Sequence, residues 1–174
     1  VPNTPSPLAV RPLADTSDEL ARLLDLNRAA VPAVNDIDAA EMSALIRQSQ
    51  LAVGVVDPAH PDALLGFVLA LPPGADYASE NYRWFSGRGS NFLYVDRIVV
   101  EEGHRSGGLG AMLYDAVFAS ALATGATEVD CEVNVEPPNP RSLAFHGRLG
   151  FREVGRQSTK GGAVVVALLA RPTA

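Results

Sequence analysis

Residues 94–118 read YVDRIVVEEGHRSGGLGAMLYDAVF. The apolar-rich run over Asn91–Val100 predicts a strand that ends Ile98-Val99-Val100. The chain then turns through Gly103–Gly108 and opens a helix predicted over Leu109–Thr124. Leu109, Met112, Leu113, Ala116, Val117 and Ala121 give that helix its inner stripe, and Gly125 is placed to end it in a left-handed conformation. The first N–H groups of a helix have no partner within it, and the helix dipole makes that end positive. Glycines let a backbone approach an anion closely. The turn Arg105-Ser106-Gly107-Gly108-Leu109-Gly110 is therefore a candidate cradle for a pyrophosphate. It lacks the Lys-Ser/Thr of a P-loop. Its glycines at 107, 108 and 110 also miss the G-x-G-x-x-G spacing of dinucleotide folds.

Downstream of this unit, Glu128–Glu136 alternates. Val129, Cys131, Val133 and Val135 lie on one face, and Glu128, Asp130, Glu132, Asn134 and Glu136 on the other. This predicts a strand with one core face and one polar or cleft face. Residues 139–151 read NPRSLAFHGRLGF. Asn139 is an N-cap, Pro140 fits the first helical position, and the short helix ends at Gly150. Phe151–Arg156 and Ala163–Ala170 predict two last strands joined through Lys160-Gly161-Gly162. Upstream, Val1–Pro7 reads as a loose tail and Leu8–Pro12 as a first strand. Thr16 and Glu19 have capping-box spacing before one helix; Asp38 and Glu41 repeat it before a second. Leu51–Val56 and Ala63–Leu71 form a hairpin about a turn at Asp57–Asp62. Pro72–Ser90 is read as a long loop, of a length that is usually functional or mobile. The order is β-α-α-β-β-β-α-β-α-β-β, a mixed sheet with helices on its faces.

The chain has 174 residues and a formal net charge of -6. That balance argues against a nucleic-acid face, which needs clustered cations. The single cysteine, Cys131, rules out an internal disulfide and a cysteine-type zinc cluster, and it reads as a small buried apolar residue. Apolar runs are too short for a bilayer span. The N-terminus shows no basic-then-apolar leader, so a cytoplasmic location is expected.

The Arg-x-x-Gly-x-Gly pattern of Arg105, Gly108 and Gly110 resembles the first signature of the GNAT superfamily of N-acetyltransferases. Asn139, the pair Phe145-His146 and Gly150-Phe151 resemble its second. The match is motif-level over 91–151 and architectural elsewhere. It implies an α/β GNAT fold over residues 8–174: a mixed, mostly antiparallel sheet of about seven strands, helices on both faces, and strands four and five splayed apart. It implies acetyl-CoA as co-substrate, without a metal.

Carried over residue by residue, the resemblance gives the backbone of Arg105, Ser106, Gly107, Gly108, Leu109 and Gly110 the CoA pyrophosphate. The strand edge at Ile98, Val99 and Val100 pairs with the pantetheine amides, and an N–H of Val99 or Val100 polarises the thioester carbonyl. Asn139 and Phe145 border the CoA arm, with Asn139 equally explained as a cap. The family's usual acid is a Tyr where this chain has His146. An imidazolium can serve as the acid, or His146 only packs; Tyr114 and Tyr94 are fallback donors. Glu132 and Asp96 are candidate bases, unless Asp96 pairs with Arg97 or Arg152 and Glu132 is simply solvated. Asn27, Asn35, Tyr82, Trp84 and Asn134 are candidates for an acceptor pocket. The expected function is transfer of acetyl to a small-molecule amine in a ternary complex. A non-catalytic acyl-CoA-binding module and a protein N-terminal acetyltransferase are the alternatives. A homodimer is compatible with the resemblance.

Overall fold

The structure is a computed structural model that describes residues 7–105 and 107–174. Ser106 of the expected cradle and residues 1–6 of the expected tail lie outside the described residues. Strand β1 (Ala9–Pro12) leads to α1 (Ser17–Ala29), capped by the Thr16 side chain, and α2 (Ala39–Gln48). Asp38 accepts the Glu41 N–H at 2.9 Å while Glu41 accepts the Asp38 N–H at 2.8 Å, so two orphan donors are satisfied reciprocally. Strands β2 (Leu51–Asp57) and β3 (His60–Leu71) form the hairpin. Its turn is shorter than Asp57–Asp62, because His60, Pro61 and Asp62 already belong to β3.

The segment 72–90 differs from its reading as a loop. It contains α3 (Glu80–Arg88), started by Ser79, whose hydroxyl accepts the Tyr82 N–H. Tyr82 and Phe85, three residues apart, supply the buried face. Then come β4 (Phe92–Val100), α4 (Leu109–Thr124), β5 (Glu128–Glu136), α5 (Pro140–Arg148), β6 (Arg152–Thr159) and β7 (Val164–Pro172). Left-handed glycines bound α4, Gly108 at φ 79° before it and Gly125 at φ 75° after it. Its buried face is Leu109, Leu113, Val117 and Ala121, with Tyr114 added, while Met112 and Ala116 are only half-buried.

The seven strands form one sheet in the order β1-β2-β3-β4-β5-β7-β6. All neighbours are antiparallel except β4 and β5. Those two pair only from Phe92–Tyr94 against Glu128–Asp130. Beyond that they separate, which is the splay. Helices α1, α2 and α3 cover one face of the sheet and α4 with α5 the other. No helix among the described residues is long and apolar enough to cross a membrane.

One irregularity re-aims β4. Arg97 pairs with Leu69 and Val95 with Ala70, so Asp96 is an extra residue in a β-bulge. Tyr94 and Val99 therefore pack on the same core, with α1 to α3, while Val95 and Ile98 pack on the α4 side. Simple alternation would put Arg97 and Val99 on the opposite face from Tyr94.

Candidate active site

Where β4 and β5 part, two cavities meet. A groove of about 750 Å³ runs along the end of β4 to the start of α4 and the length of α5. A smaller cavity of about 400 Å³ opens on the side of α1 and α3. Both are lined by Pro32, Ile98, Asn134, Asn139, Ser142 and His146. Asn134 Nδ2 donates to the Pro32 carbonyl at 2.9 Å, tying β5 to the α1–α2 connection at that meeting place.

The larger groove has the features of an anion site followed by a strand edge. Gly108 stands at its α4 end with positive φ, and a Cβ built there would meet no atom within 4 Å. The groove thus reaches the backbone itself, at a helix start whose first N–H groups have no intrahelical partner. Arg105, Arg141 and Arg148 line the same groove, a cationic strip in an acidic chain. From Val95 onward β4 keeps β3 on one side and has no strand on the other, so Ile98, Val99 and Val100 offer an unpaired edge. A long ligand with a diphosphate at one end and amides along its arm fits this order of groups. Gly110 has a different reason. A Cβ on it would stand 2.9 Å from Phe145 Cζ, so this glycine seats α5 against α4.

The smaller cavity carries the titratable groups. Tyr94 Oη donates to Glu132 Oε2 at 2.7 Å. Desolvation, and then the charge of Asp96, push the Glu132 carboxyl up to about 8, against the pull of Tyr94 and Asn81. Asp96 accepts from Tyr77 Oη at 2.5 Å and from Arg97 Nε at 2.8 Å. Arg97 is nearly fully buried and spreads its fork further, donating to Asn27 Oδ1 at 2.8 Å and Asn35 Oδ1 at 3.0 Å. At the junction, His146 Nδ1 lies 2.8 Å from the Ser142 carbonyl, which only accepts, so Nδ1 carries the hydrogen. In the neutral ring Nε2 is then the acceptor for the Tyr114 hydroxyl, 2.8 Å away. Burial lowers the His146 pKa and raises that of Tyr114 well above 10, so both are neutral near pH 7.

A family model for the acetyltransferase (GNAT) family matches residues 22–151. The chain belongs to that family. No curated protein matches the chain in sequence. Solved GNAT-like structures match it in fold. Arabidopsis thaliana NAA60 in complex with a bisubstrate analogue has a TM-score of 0.73 at 20% identity, over 95% of this chain and 98% of that one. Salmonella typhimurium yncA with its cofactor acetyl-CoA gives 0.71 at 15%, over 97% and 95%. The ribosomal-protein-S18-alanine N-acetyltransferase of Escherichia coli gives 0.68 at 14%, over 96% and 94%.

Within this GNAT fold, the residues expected from sequence fall into three groups. Ile98, Val99, Val100, Arg105, Gly108, Gly110, Asn139 and Phe145 come together along the groove. Gly107 and Leu109 are in the same turn, although Leu109 points into the core. Asn139 is also the α5 cap, accepting the Ser142 N–H at 3.3 Å. Asp96, Glu132, His146, Asn35 and Asn134 all line the smaller cavity. Asn27, Tyr82 and Trp84 do not. Asn27 is fully buried behind the wall, holding Arg97. Tyr82 spends its hydroxyl on the Pro72 carbonyl and the Ala75 N–H. The Trp84 ring packs where a Cβ on Gly155 would stand, 2.7 Å from Cζ2. The helix at Glu80–Arg88 turns both aromatics inward and brings Glu80 and Asn81 to the cavity instead, with Tyr77 from the segment just before it. Sequence reasoning missed these three, and also Arg97, Arg141 and Arg148. Ser79 followed by Glu80 is a helix-start signal that would have found α3. The seven-residue spacing of Arg141 and Arg148, two helical turns, would have placed them on one face.

Proposed function

We propose that this GNAT protein transfers the acetyl group of acetyl-CoA to the amine of a small molecule, directly and in a ternary complex. The observation that carries the reading is the meeting of the two cavities at Ile98, Asn134 and His146. One cavity suits a long anionic carrier and the other a small polar acceptor, so donor and acceptor can be held together without a covalent enzyme intermediate.

Acetyl-CoA supplies an activated acetyl group as a thioester. Arg105, Gly107, Gly108 and the first N–H groups of α4 hold its diphosphate, with Arg141 and Arg148 adding positive charge. The unpaired edge of β4 aligns its amide arm, and a backbone N–H of Val99 or Val100 polarises the carbonyl. On the acceptor side, an alkyl ammonium of pKa roughly 10 must lose a proton before it can attack. Glu132 takes that proton, directly or through water. With a pKa near 8 it is a stronger base than an ordinary carboxylate. Asp96, held by Tyr77 and Arg97, stands close enough to Glu132 to help raise its carboxyl and so its basicity. The departing sulfur takes the second proton that the attacking nitrogen loses, while Tyr114, its hydroxyl donated to His146 Nε2, lines the acceptor side.

The test is release of free CoA thiol across a panel of amines and short peptides. Turnover with free amines above that with peptides is the expected result. Preference for peptides moves the function to protein N-termini. Tight acetyl-CoA binding with no thiol release from any acceptor overturns the enzyme reading in favour of a binding module. Gly108→Glu places bulk and charge in the cradle, and is expected to weaken CoA binding at least 100-fold (about 2.7 kcal/mol). Unchanged affinity in a variant with an unchanged circular dichroism spectrum removes the cradle assignment.

A further inference from the structure

Of the 14 Lys and Arg residues in the chain, Lys160 is the only lysine. It stands in the β6–β7 turn and lines the smaller cavity together with Glu132, Asp96 and Tyr77. Its backbone has φ 51°, and it is the one non-glycine residue with positive φ among the described residues. Gly161 and Gly162 follow at φ 65° and 95°. A glycine or asparagine would occupy the first of these positions without comparable strain. The turn is pinned over the cavity by Glu80 of α3, whose carboxylate accepts the Lys160 N–H at 3.3 Å. The Lys160 side chain is exposed and forms no ion pair among the described residues. Packing and surface charge explain neither the strained backbone nor the choice of lysine. Arginine serves wherever this chain needs a cation for charge alone. What lysine has and arginine lacks is an amine that can lose its proton and act as a nucleophile.

We infer that Lys160 is an acetyl acceptor of its own active site. The inference rests on the acetyl-transfer reading above. A strained residue at a cavity mouth, held there by a neighbouring element, signals a functional placement. Here the placement is a tethered primary amine beside the acceptor cavity. The Lys160 ammonium gives one proton to solvent or to Glu132. Its nitrogen attacks the thioester carbonyl carbon; a C–N bond forms and the C–S bond breaks. The second proton lost by nitrogen ends on the sulfur. The products are Nε-acetyl-Lys160 and CoA thiol. Acetylation removes the only lysine charge in the chain and fills part of the cavity, so the modified protein has a smaller and less cationic acceptor site.

Lys160 carries the chain's one side-chain amine, so intact mass counts the acetyl groups and peptide mapping separates Lys160 from the α-amine. The full chain is incubated with acetyl-CoA and no added amine, followed by mass spectrometry and peptide mapping. One acetyl group on Lys160, absent from Lys160→Arg and from the cradle variant Gly108→Glu, is the expected result. The fraction modified per unit time should be unchanged when the protein is diluted tenfold. An unmodified wild-type protein that still releases thiol with a panel amine overturns this inference and leaves the proposed function standing. No modification and no thiol release with any acceptor overturns both. Equal acetylation of Lys160 in Gly108→Glu shows direct chemical acetylation by the thioester and overturns the enzymatic origin. A rate that falls on dilution overturns transfer within one chain.

Discussion

Glu132 sits where two opposing influences meet. Desolvation and the Asp96 charge favour its neutral form, while the hydroxyl of Tyr94 favours the carboxylate. The first pair wins, so at pH 7 most molecules carry a protonated Glu132 that cannot accept a proton. The base form accumulates as pH rises through about 8. In kcat/KM for an amine whose own pKa is well above this range, the wild-type profile should therefore show an ascending limb centred near 8. Glu132→Gln should lose that limb and fall by about 100-fold at its plateau, the lower end of the usual range for a general base. A retained limb of the same midpoint in Glu132→Gln would assign the titration to another group of the protein and remove Glu132 as the base. His146 shows how far residue type alone can be trusted. A histidine at a site that favours tyrosine suggests an imidazolium acid. The short contact to the Ser142 carbonyl and the burial of the ring make it neutral and direct it to Tyr114. No pattern in the sequence carries that information, because the partner lies on a different helix, 32 residues earlier.

At the scale of elements, local signals were readable and insertions in register were not. The caps of α1, α2, α4 and α5 stand where Thr16, Asp38, Gly125 and Asn139 suggested, because capping is decided within four residues. The bulge at Asp96 depends on how β4 pairs with β3 and is invisible to alternation within β4. Its consequence is Arg97, which carries the strand's irregularity into the acceptor side. One guanidinium joins the bulge, the end of α1 through Asn27, and the α1–α2 connection through Asn35. Lysine at this position keeps the charge that balances Asp96 but cannot reach both asparagines from one fixed fork. Arg97→Lys should cost about 1–3 kcal/mol from buried groups left unsatisfied, read as a lower melting temperature. It should also raise KM for the acceptor several-fold while leaving the Kd for CoA unchanged. An unaltered acceptor KM would make Arg97 a purely structural tie.

Over the whole molecule, the strand count and the splay were legible because two motifs at 105–110 and 139–151 bracket β5. The parallel β4–β5 contact then covers only Phe92–Tyr94 against Glu128–Asp130. What composition could not show is the cost of that arrangement. Alternation in β5 put Asp130 on a polar face open to cleft or solvent. The structure buries it completely, with neither carboxylate oxygen hydrogen-bonded. Burial first, and Glu128 second, push its carboxyl up to about 8. Linkage fixes the sign. The unfolded chain ionises Asp130 near pH 4, whereas the folded chain holds the proton to about 8, so across that interval the folded state binds more protons. The stability that the neutral carboxyl allows is fully present below about pH 4 and is lost progressively as pH rises to about 8, at about 1.4 kcal/mol per pH unit at most. Glu132 adds to the same slope, since its carboxyl is raised to a similar value. Asp130→Asn imitates the neutral acid at every pH. Its melting temperature should match the wild type near about pH 4 and exceed it by several degrees near about pH 8, with the gap widening between those limits. A gap that does not change with pH would mean that Asp130 is not the group that holds the proton.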